Sequence, residues 1–189
     1  MRKYFLAIIP DEPLYEKVHQ LKLDIKDKFR LKYSLKSPPH ITLKMPFVYN
    51  EAKEEVLIDK LQGFIDGISP FELAIGEIKT FGSRVIFLNV QPKEELIRLQ
   101  AGLKSYCRRE LKLVDELSDR NYHPHMTVVF KDIKKGEFEN ILNYVRERAV
   151  EGSITVESIY LLKKIAGDWT LCKELNFNSS NSLESITND

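Results

Sequence analysis

Hydrophobic and polar residues alternate along the first half of the chain with periods that predict strand, helix, strand, helix and strand in turn. A period of two is typical of a strand, and a spacing of three and four residues is typical of a helix face. These patterns place the apolar faces of the five elements at residues 4–9, 14–29, 40–47, 57–65 and 71–78. Asp11 and Asn50 are predicted to cap the two helices, with Pro13 in the first turn of the first. Gly76 predicts a bulge in the third strand.

The second half repeats this order of elements. Strands are predicted at residues 85–90, 122–130, 154–161 and 168–177, and helices at residues 96–111 and 138–149. The interval along the chain from Leu73 to Ile154 is close to the interval from His40 to His125. We interpret the repeat, roughly residues 1–80 and 81–165, as a duplication that builds two lobes related by a pseudo-twofold axis.

The domain organisation follows from the absence of a linker between the two halves. We expect one two-lobed α+β domain over residues 1–177, with the last strand at residues 168–177. The tail, residues 178–189, is polar and has few residues suited to a core, so it is expected to be disordered.

Composition and charge then exclude several classes of protein. The chain has 189 residues, 43% of them hydrophobic, and a net charge of +1. This content of apolar residues excludes disorder of the whole chain, and the near-zero charge argues against a coat for duplex DNA. No apolar run approaches the roughly 20 residues of a membrane span, and the first run is too short for a signal peptide. Cys107 and Cys172 are isolated, which suits a reducing cytoplasm, and we expect a cytoplasmic monomer.

Two short motifs carry the chemistry, because each places a histidine and a threonine two positions apart in a predicted strand. The motifs are Pro39-His40-Ile41-Thr42-Leu43 and Pro124-His125-Met126-Thr127-Val128. Side chains in a strand alternate between its faces, so each histidine shares a face with its threonine. One such motif means little, but two copies in the same place of a repeat predict two imidazoles and two hydroxyls around a common point.

This set of groups suits the cleavage of a phosphodiester. One imidazole can take a proton from the attacking oxygen and the other can protonate the departing oxygen, because the ordinary pKa of histidine lies near neutrality. The hydroxyls of Thr42 and Thr127 can donate to the non-bridging phosphate oxygens. The reaction requires no metal and no other cofactor.

The paired motifs resemble those of the two-histidine (2H) phosphoesterase superfamily, in particular its 2'-5' RNA ligase-like and RNA 2',3'-cyclic phosphodiesterase members. The similarity runs from about Tyr4 to Phe177 and includes segments at residues 4–10, 39–44, 71–81, 85–90 and 154–163. It implies a bilobal α+β fold with antiparallel sheets lining a central cleft and helices outside. It also implies metal-independent opening of a cyclic phosphate at an RNA end or on a small cyclic nucleotide, with His40 and His125 as the catalytic pair and Thr42 and Thr127 holding the phosphate.

One position departs from the family pattern. The tRNA-ligase-like members usually carry an arginine three residues after the second threonine, and Phe130 stands there in this chain. Lys131 follows it and is expected to point to the opposite face of a regular strand. This departure bears on the substrate and leaves the two-histidine chemistry intact.

Several further residues are candidates for substrate contacts. Lys44 shares a face with His40 by alternation, and Arg84 lies near the expected mouth of the cleft. A basic stretch between Lys22 and Lys36 leads into the first motif, and it either forms a solvated face or attracts a nucleotide. Aromatic or imidazole side chains that could contact a base or a proton are Tyr33, Phe47 and His123.

Two other functions stay open from the sequence. The same scaffold could serve as a non-catalytic nucleotide- or RNA-binding module, although binding needs no matched acid and base. A metal hydrolase could use His40, His123 and His125 as ligands. We favour the metal-free phosphodiesterase.

Overall fold

The computed structural model describes residues 1–148 and 150–177. The tail expected to be disordered, residues 178–189, and Ala149 of the predicted last helix lie outside the described residues. The elements follow in the order β1 Arg2–Ile8, α1 Leu14–Phe29, a 3-10 turn Tyr33–Lys36, β2 Ile41–Tyr49, a 3-10 turn Glu51–Lys53, α2 Glu54–Ile65, β3 Phe71–Phe81, β4 Val85–Val90, α3 Glu94–Glu110, α4 Leu117–Arg120, β5 His125–Phe130, α5 Phe138–Glu147, β6 Gly152–Val156, β7 Ser158–Ile165 and β8 Asp168–Asn176.

The strands of the described residues form one antiparallel sheet in the order β6-β3-β4-β5-β2-β1-β7-β8. At its centre β2 and β5 meet at the residue pair Ile41 with Met126. Each side of this junction is a four-stranded antiparallel set, β2-β1-β7-β8 and β5-β4-β3-β6. The expected α+β fold with two antiparallel lobes is therefore confirmed.

The pseudo-twofold relation between the lobes is visible in the strand pairing. Ile41 pairs with Met126, and Leu73 of β3 pairs with Ile154 of β6. The members of each pair occupy equivalent places in the sequence repeat, so equivalent residues face each other at both junctions. The lobes nevertheless exchange strands, because β3 pairs with β4 of the second half and β7 pairs with β1 of the first.

Three of the differences between predicted and observed elements have a clear structural cause. The strand predicted at residues 154–161 is two strands, β6 and β7, because burial loses its alternation at Ser158 and Ile159 and the chain changes partner from β3 to β1. Helix α1 begins at Leu14 with Pro13 at its N-cap position, so Asp11 does not cap it. Strand β5 begins at His125 rather than at residue 122, because the short helix α4 and a proline, which has no N–H to donate, precede it.

The helices cover one face of the sheet, as expected. Helix α1 contacts β5 and β6, and α3 contacts β2, so these two helices pack on strands of the other half of the chain. The main core lies between these helices and the sheet, while Phe5, Ala7 and Leu162 form a small separate cluster on the opposite face. In the described part of the chain no helix combines the length and the apolar character needed to cross a membrane.

A buried ion pair ties the segment before β5 to strand β2. Lys44 has no exposed surface and its ammonium donates to the carboxylate of Asp119, which is 1% exposed. Asp119 also accepts from the backbone N–H groups of Met45 at 2.8 Å and Glu116 at 2.9 Å. A buried charge left without its partner is costly, so this pair is important for the integrity of the cleft wall.

Replacing Asp119 by alanine should therefore lower the free energy of unfolding by about 3–5 kcal/mol. It removes the main partner of the buried Lys44 ammonium, which keeps only the carbonyl oxygen of Val114 and the carboxylate of Asp115 at 3.9 Å, and it leaves two backbone N–H groups without their acceptor. Urea denaturation of the purified variant measures this change. The matched control is Asp59→Ala on the exposed surface of α2, which should change the free energy by no more than about 0.5 kcal/mol. Equal effects of the two substitutions would contradict this role of Asp119.

Candidate active site

The pair between β2 and β5 brings the two motifs side by side. Ile41 and Met126 are both fully buried in the main core, so the residues on either side of each point to the opposite, open face of the sheet. Continuing the antiparallel register by one residue sets His40 opposite Thr127 and Thr42 opposite His125. All four side chains are half-buried on that face: His40, Thr42, His125 and Thr127.

The strand register fixes the spacing of the four side chains across this face. Side chains directly opposite in an antiparallel pair have Cβ atoms roughly 5 Å apart, and diagonal neighbours are roughly 7–8 Å apart. His40 and His125 are diagonal neighbours, so the imidazoles flank a gap that the two threonines border on the other diagonal. This register places the two motifs side by side on one face of the sheet.

The ring of His40 is oriented by its own backbone. Its Nδ1 lies 2.8 Å from the carbonyl oxygen of Pro38. A carbonyl oxygen can only accept, so Nδ1 carries the proton and Nε2 is left free for the open face. The ring packs against Phe5 with centroids 5.0 Å apart. Burial lowers the pKa of His40 to about 4, and the nearby charges of Lys22 and His125 act in the same direction, against the opposing effect of the Pro38 hydrogen bond.

His125 is oriented in the same way by the residue two positions before it. Its Nδ1 lies 2.7 Å from the carbonyl oxygen of His123. Its ring contacts Phe81 and Phe87, with centroids 5.1 Å from each. Burial is also the main cause that lowers the pKa of His125; the bond to His123 opposes it. Among the described residues neither Nε2 has a hydrogen-bond partner, so each imidazole presents Nε2 as its free nitrogen.

The threonine hydroxyls are available to a ligand. Thr42 and Thr127 are half-buried, and within residues 1–148 and 150–177 neither hydroxyl has a hydrogen-bond partner. Directly after each threonine the strand carries a bulge, at Leu43 and at Val128, which occupy equivalent places in the repeat. These bulges end the regular alternation immediately beyond each motif.

The bulge at Leu43 corrects the expectation for Lys44. Strand β1 pairs Ala7 with Thr42 and Leu6 with Lys44, so Leu43 is the extra residue and both Leu43 and Lys44 turn into the core. Lys44 therefore lies in the ion pair with Asp119 instead of on the open face beside His40. The interpretation from alternation failed because a bulge shifts the side-chain phase by one residue.

A cavity of about 300 Å³ opens beside Thr42 and His125. Its polar wall includes His123, which is exposed and lies within 6 Å of the rings of Phe81 and Phe87. The remaining wall is largely apolar and is formed by residues of β2, β3 and the segment before β5: Leu43, Met45, Phe81, Leu117 and Tyr122. The hydroxyl of Tyr122 is buried without a partner among the described residues. Such a cavity can accept a flat, mostly apolar group.

Tyr33 and Lys131 lie together at the end of β5. Lys131 donates to the Tyr33 hydroxyl at 3.0 Å, and the Tyr33 ring packs on Phe130. This hydrogen bond is the main cause that lowers the pKa of Tyr33, and the charges of Lys131, Lys164 and Lys36 add to it against the effect of burial. Lys131 does not point away as expected of a regular strand, because the bulge and a positive φ of 74° redirect the chain.

The other candidates divide between surface and core. Arg84 is exposed in the turn between β3 and β4, next to Phe81. Phe47 is 7% exposed and stacks on Tyr4 in the main core, so it is not placed to stack on a base.

Sequence reasoning missed Phe5 as a support for His40, and it was wrong about Lys22, which it placed in a basic stretch at the surface although the residue is buried. Phe5 lies on the second face of β1, and the uninterrupted apolar run of that strand indicates burial on both faces. Lys22 is 1% exposed and lies one helical turn after the buried Val18. A lysine at an apolar position of an amphipathic helix was the available signal.

The metal-hydrolase alternative requires three ligands around one point. Among the described residues no group of three histidine, cysteine, aspartate or glutamate side chains is arranged to hold a metal ion. His40, His123 and His125, the ligands of that alternative, therefore do not form such a site in this structure.

Comparison with known proteins identifies the family. A family model of the 2'-5' RNA ligase superfamily matches residues 10–168. The chain therefore belongs to the 2'-5' RNA ligase superfamily, the 2H phosphoesterase class that its paired motifs resemble.

Individual relatives agree with this membership. A Bacillus pumilus protein named "Putative phosphoesterase" is 25% identical over 175 residues, covering 89% of this chain and 94% of its own. The structure of TT0787 from Thermus thermophilus superposes with a TM-score of 0.68 at 17% identity, covering 95% of this chain and 100% of that one. Escherichia coli LigT in complex with 3'-AMP has a TM-score of 0.57 at 20% identity, covering 94% and 98%. At these identities the two solved structures establish the fold.

The lowered pKa of His40 predicts a specific dependence of stability on pH. Between its ordinary value of 6.5 and about 4, the unfolded chain takes up a proton at this position and the folded chain does not. The free energy of unfolding should therefore fall as the pH decreases from 6.5 to 4, with no further contribution from His40 below 4. Urea denaturation of the wild type and of His40→Phe across this range tests the prediction, since the variant should lose stability less steeply. Parallel curves for the two proteins would refute it.

Proposed function

We propose that this chain is a phosphodiesterase that opens a 2',3'-cyclic phosphate at an RNA end or on a small cyclic nucleotide without needing a metal. The observation that carries the proposal is the β2–β5 register, which gives two imidazoles with free Nε2 atoms on one open face. Each ring is held by the carbonyl oxygen two residues before it. The two threonine hydroxyls complete the set, so the proton donor, the proton acceptor and the phosphate ligands all come from one pair of strands.

In the proposed reaction a water molecule attacks phosphorus while one bond from phosphorus to a ribose oxygen breaks. The base takes a proton from the water, and the acid gives a proton to the departing ribose oxygen. The product is a phosphomonoester on one ribose oxygen and a free hydroxyl on the other. The two imidazoles return to their starting states by exchanging protons with solvent. With a 5'-hydroxyl group in place of water, the same ring opening would join RNA ends through a 2'-5' bond, because the 5'-oxygen attacks phosphorus while the bond from phosphorus to the 3'-oxygen breaks and the 3'-oxygen takes the proton.

The environments of the histidines support His40 as the base. Burial and the charge of Lys22 lower the pKa of His40 to about 4, so its Nε2 is unprotonated and ready to accept. Within the described part of the chain, no lysine is among the charges that affect His125. The negative charge of a bound phosphodiester would favour the protonated form of His125, which then serves as the acid. Two titrating groups in different environments are the usual means of separating the roles of acid and base.

The surroundings support a nucleotide as the substrate. The cavity beside Thr42 and His125 has the apolar walls that a base requires, with Phe81 and His123 placed to contact it. On the other side, Tyr33 and Lys131, with Lys36 and Lys164 near them, offer an aromatic ring and positive charge to the adjoining phosphates. Escherichia coli LigT, which has this fold, was crystallised with 3'-AMP.

Replacing either His40 or His125 by alanine should reduce turnover of a 2',3'-cyclic phosphate at least about 100-fold, because one proton transfer is lost. Turnover is measured by separating the cyclic substrate from the 2'- and 3'-phosphate products. The matched control is His19→Ala, a histidine on α1 that packs on Tyr15, and it should retain wild-type turnover.

The same assay decides between the proposed function and its alternatives. Binding of the nucleotide without turnover by the wild type would support a non-catalytic binding module. Strong loss of activity after treatment with a chelator would support a metal hydrolase. Retention of turnover in both histidine variants would refute the two-histidine mechanism.

Replacing Thr42 or Thr127 by valine should be milder than loss of a histidine. Each substitution removes one donor to the phosphate and should raise the activation free energy by about 1–3 kcal/mol, a decrease of roughly 5- to 150-fold in kcat/KM. Valine conserves the branched shape, so circular dichroism and the unfolding midpoint should stay close to the wild type. Unchanged kcat/KM in both variants would remove the threonines from the phosphate site.

A further inference from the structure

Lys22 is a buried amine held by backbone carbonyl groups. Burial lowers its pKa to about 7, so it is protonated and positively charged over the lower pH range in which His40 titrates. It is 1% exposed, and in the described part of the chain no acidic side chain lies within ion-pair distance of its ammonium. Its Nζ instead lies 3.2 Å from the carbonyl oxygen of Ser34 and 3.4 Å from those of Ser37 and Pro38. Three acceptors match the three N–H bonds of an ammonium group, so the loop before His40 forms a cradle for it.

The cradle shares an atom with the proposed base. The carbonyl oxygen of Pro38 accepts from Lys22 and also from Nδ1 of His40 at 2.8 Å. A carbonyl oxygen has two lone pairs and can accept both bonds. Lys22 therefore restrains the group that sets the rotation of the imidazole and the position of its proton.

The charge of Lys22 acts on the same ring. The charged or titratable groups that affect His40 are Lys22 from α1 and His125 from β5, while Phe5 of β1 packs on it without charge. A positive charge in the dry interior disfavours a second one nearby. Lys22 therefore opposes protonation of His40 in addition to burial, which is the larger cause.

The second motif differs in this respect. The carbonyl oxygen of His123 accepts from Nδ1 of His125, and no lysine in the described residues donates to it. Lys22 is thus a difference between two otherwise equivalent histidines. We propose that Lys22 is a positioning residue that holds His40 as the neutral Nδ1–H form and thereby makes it the base of the pair. The catalytic role of Lys22 rests on the proposed function. Its effect on the orientation and protonation of the His40 ring does not.

The wild-type protein tests the inference without any substrate. In ¹⁵N-histidine NMR spectra, His40 should be protonated at Nδ1 when neutral, and it should titrate below its ordinary value of 6.5 and below His125. A His40 ring protonated at Nε2, or one that titrates at or above that value, would overturn the inference. This measurement does not depend on a variant that folds.

Variants then isolate the contribution of the lysine. In Lys22→Met the pKa of His40 should rise toward 6.5. The pH below which kcat/KM declines should rise with it. Loss of ring positioning should also reduce kcat by about 10- to 100-fold. Lys22→Gln keeps an N–H donor without the charge and serves if the methionine variant does not fold, with the same upward shift expected.

The control is Lys17→Met, which removes an exposed lysine from the same helix. It should leave the pKa of His40 and the pH dependence of kcat/KM the same as in the wild type. A folded Lys22 variant with an unchanged His40 titration would overturn the inference. If instead the wild type opens no cyclic phosphate while the titrations behave as described, the proposed function fails and the role of Lys22 in holding the ring stands.

Discussion

The pair of Ile41 with Met126 is the constraint on which the rest of the molecule depends. It bridges the two four-stranded sets, and both of its residues are fully buried. Because side chains alternate along a strand, burying these two residues forces the histidine and threonine on either side of each onto the open face. A register shift of one residue would turn the motifs into the core, so the apolar core itself fixes the candidate site.

The pseudo-twofold symmetry gives the site two histidines and two threonines. Departures from this symmetry explain how the two halves of the site can differ. Both rings are held by the carbonyl oxygen two residues before them, and both threonines are followed by a bulge. The duplicated strands thus reproduce the geometry. The helix and loop around the first motif add Lys22, which has no counterpart at the second motif among the residues that the structure describes. Identical side chains can in this way be given unequal proton affinities.

The bulges connect the fold to the surroundings of the site. After Leu43 the chain turns Lys44 inward, where its ion pair with Asp119 secures the segment that forms one wall of the cavity. After the equivalent bulge at Val128 the chain reaches Lys131, which joins Tyr33 on the other side of the cleft. One local irregularity, repeated, therefore contributes to a mostly apolar wall on one side and to a basic, aromatic rim on the other.

The sequence alone determined the order of the elements, the α+β class, the repeat and the histidine and threonine motifs, because each depends on local periodicity or on spacing along the chain. Tertiary structure decided the exchange of β3 and β7 between lobes, the division of residues 152–165 into two strands, and the fates of Lys44, Phe47 and Lys131. The alternation of side chains predicts the face that a residue occupies only while the strand stays regular. A bulge reverses this prediction for the residues that follow it. In the sequence, the only signal for Lys22 is a lysine on an apolar helix face. The three carbonyl oxygens that hold it come together only when the loop before His40 folds over the helix.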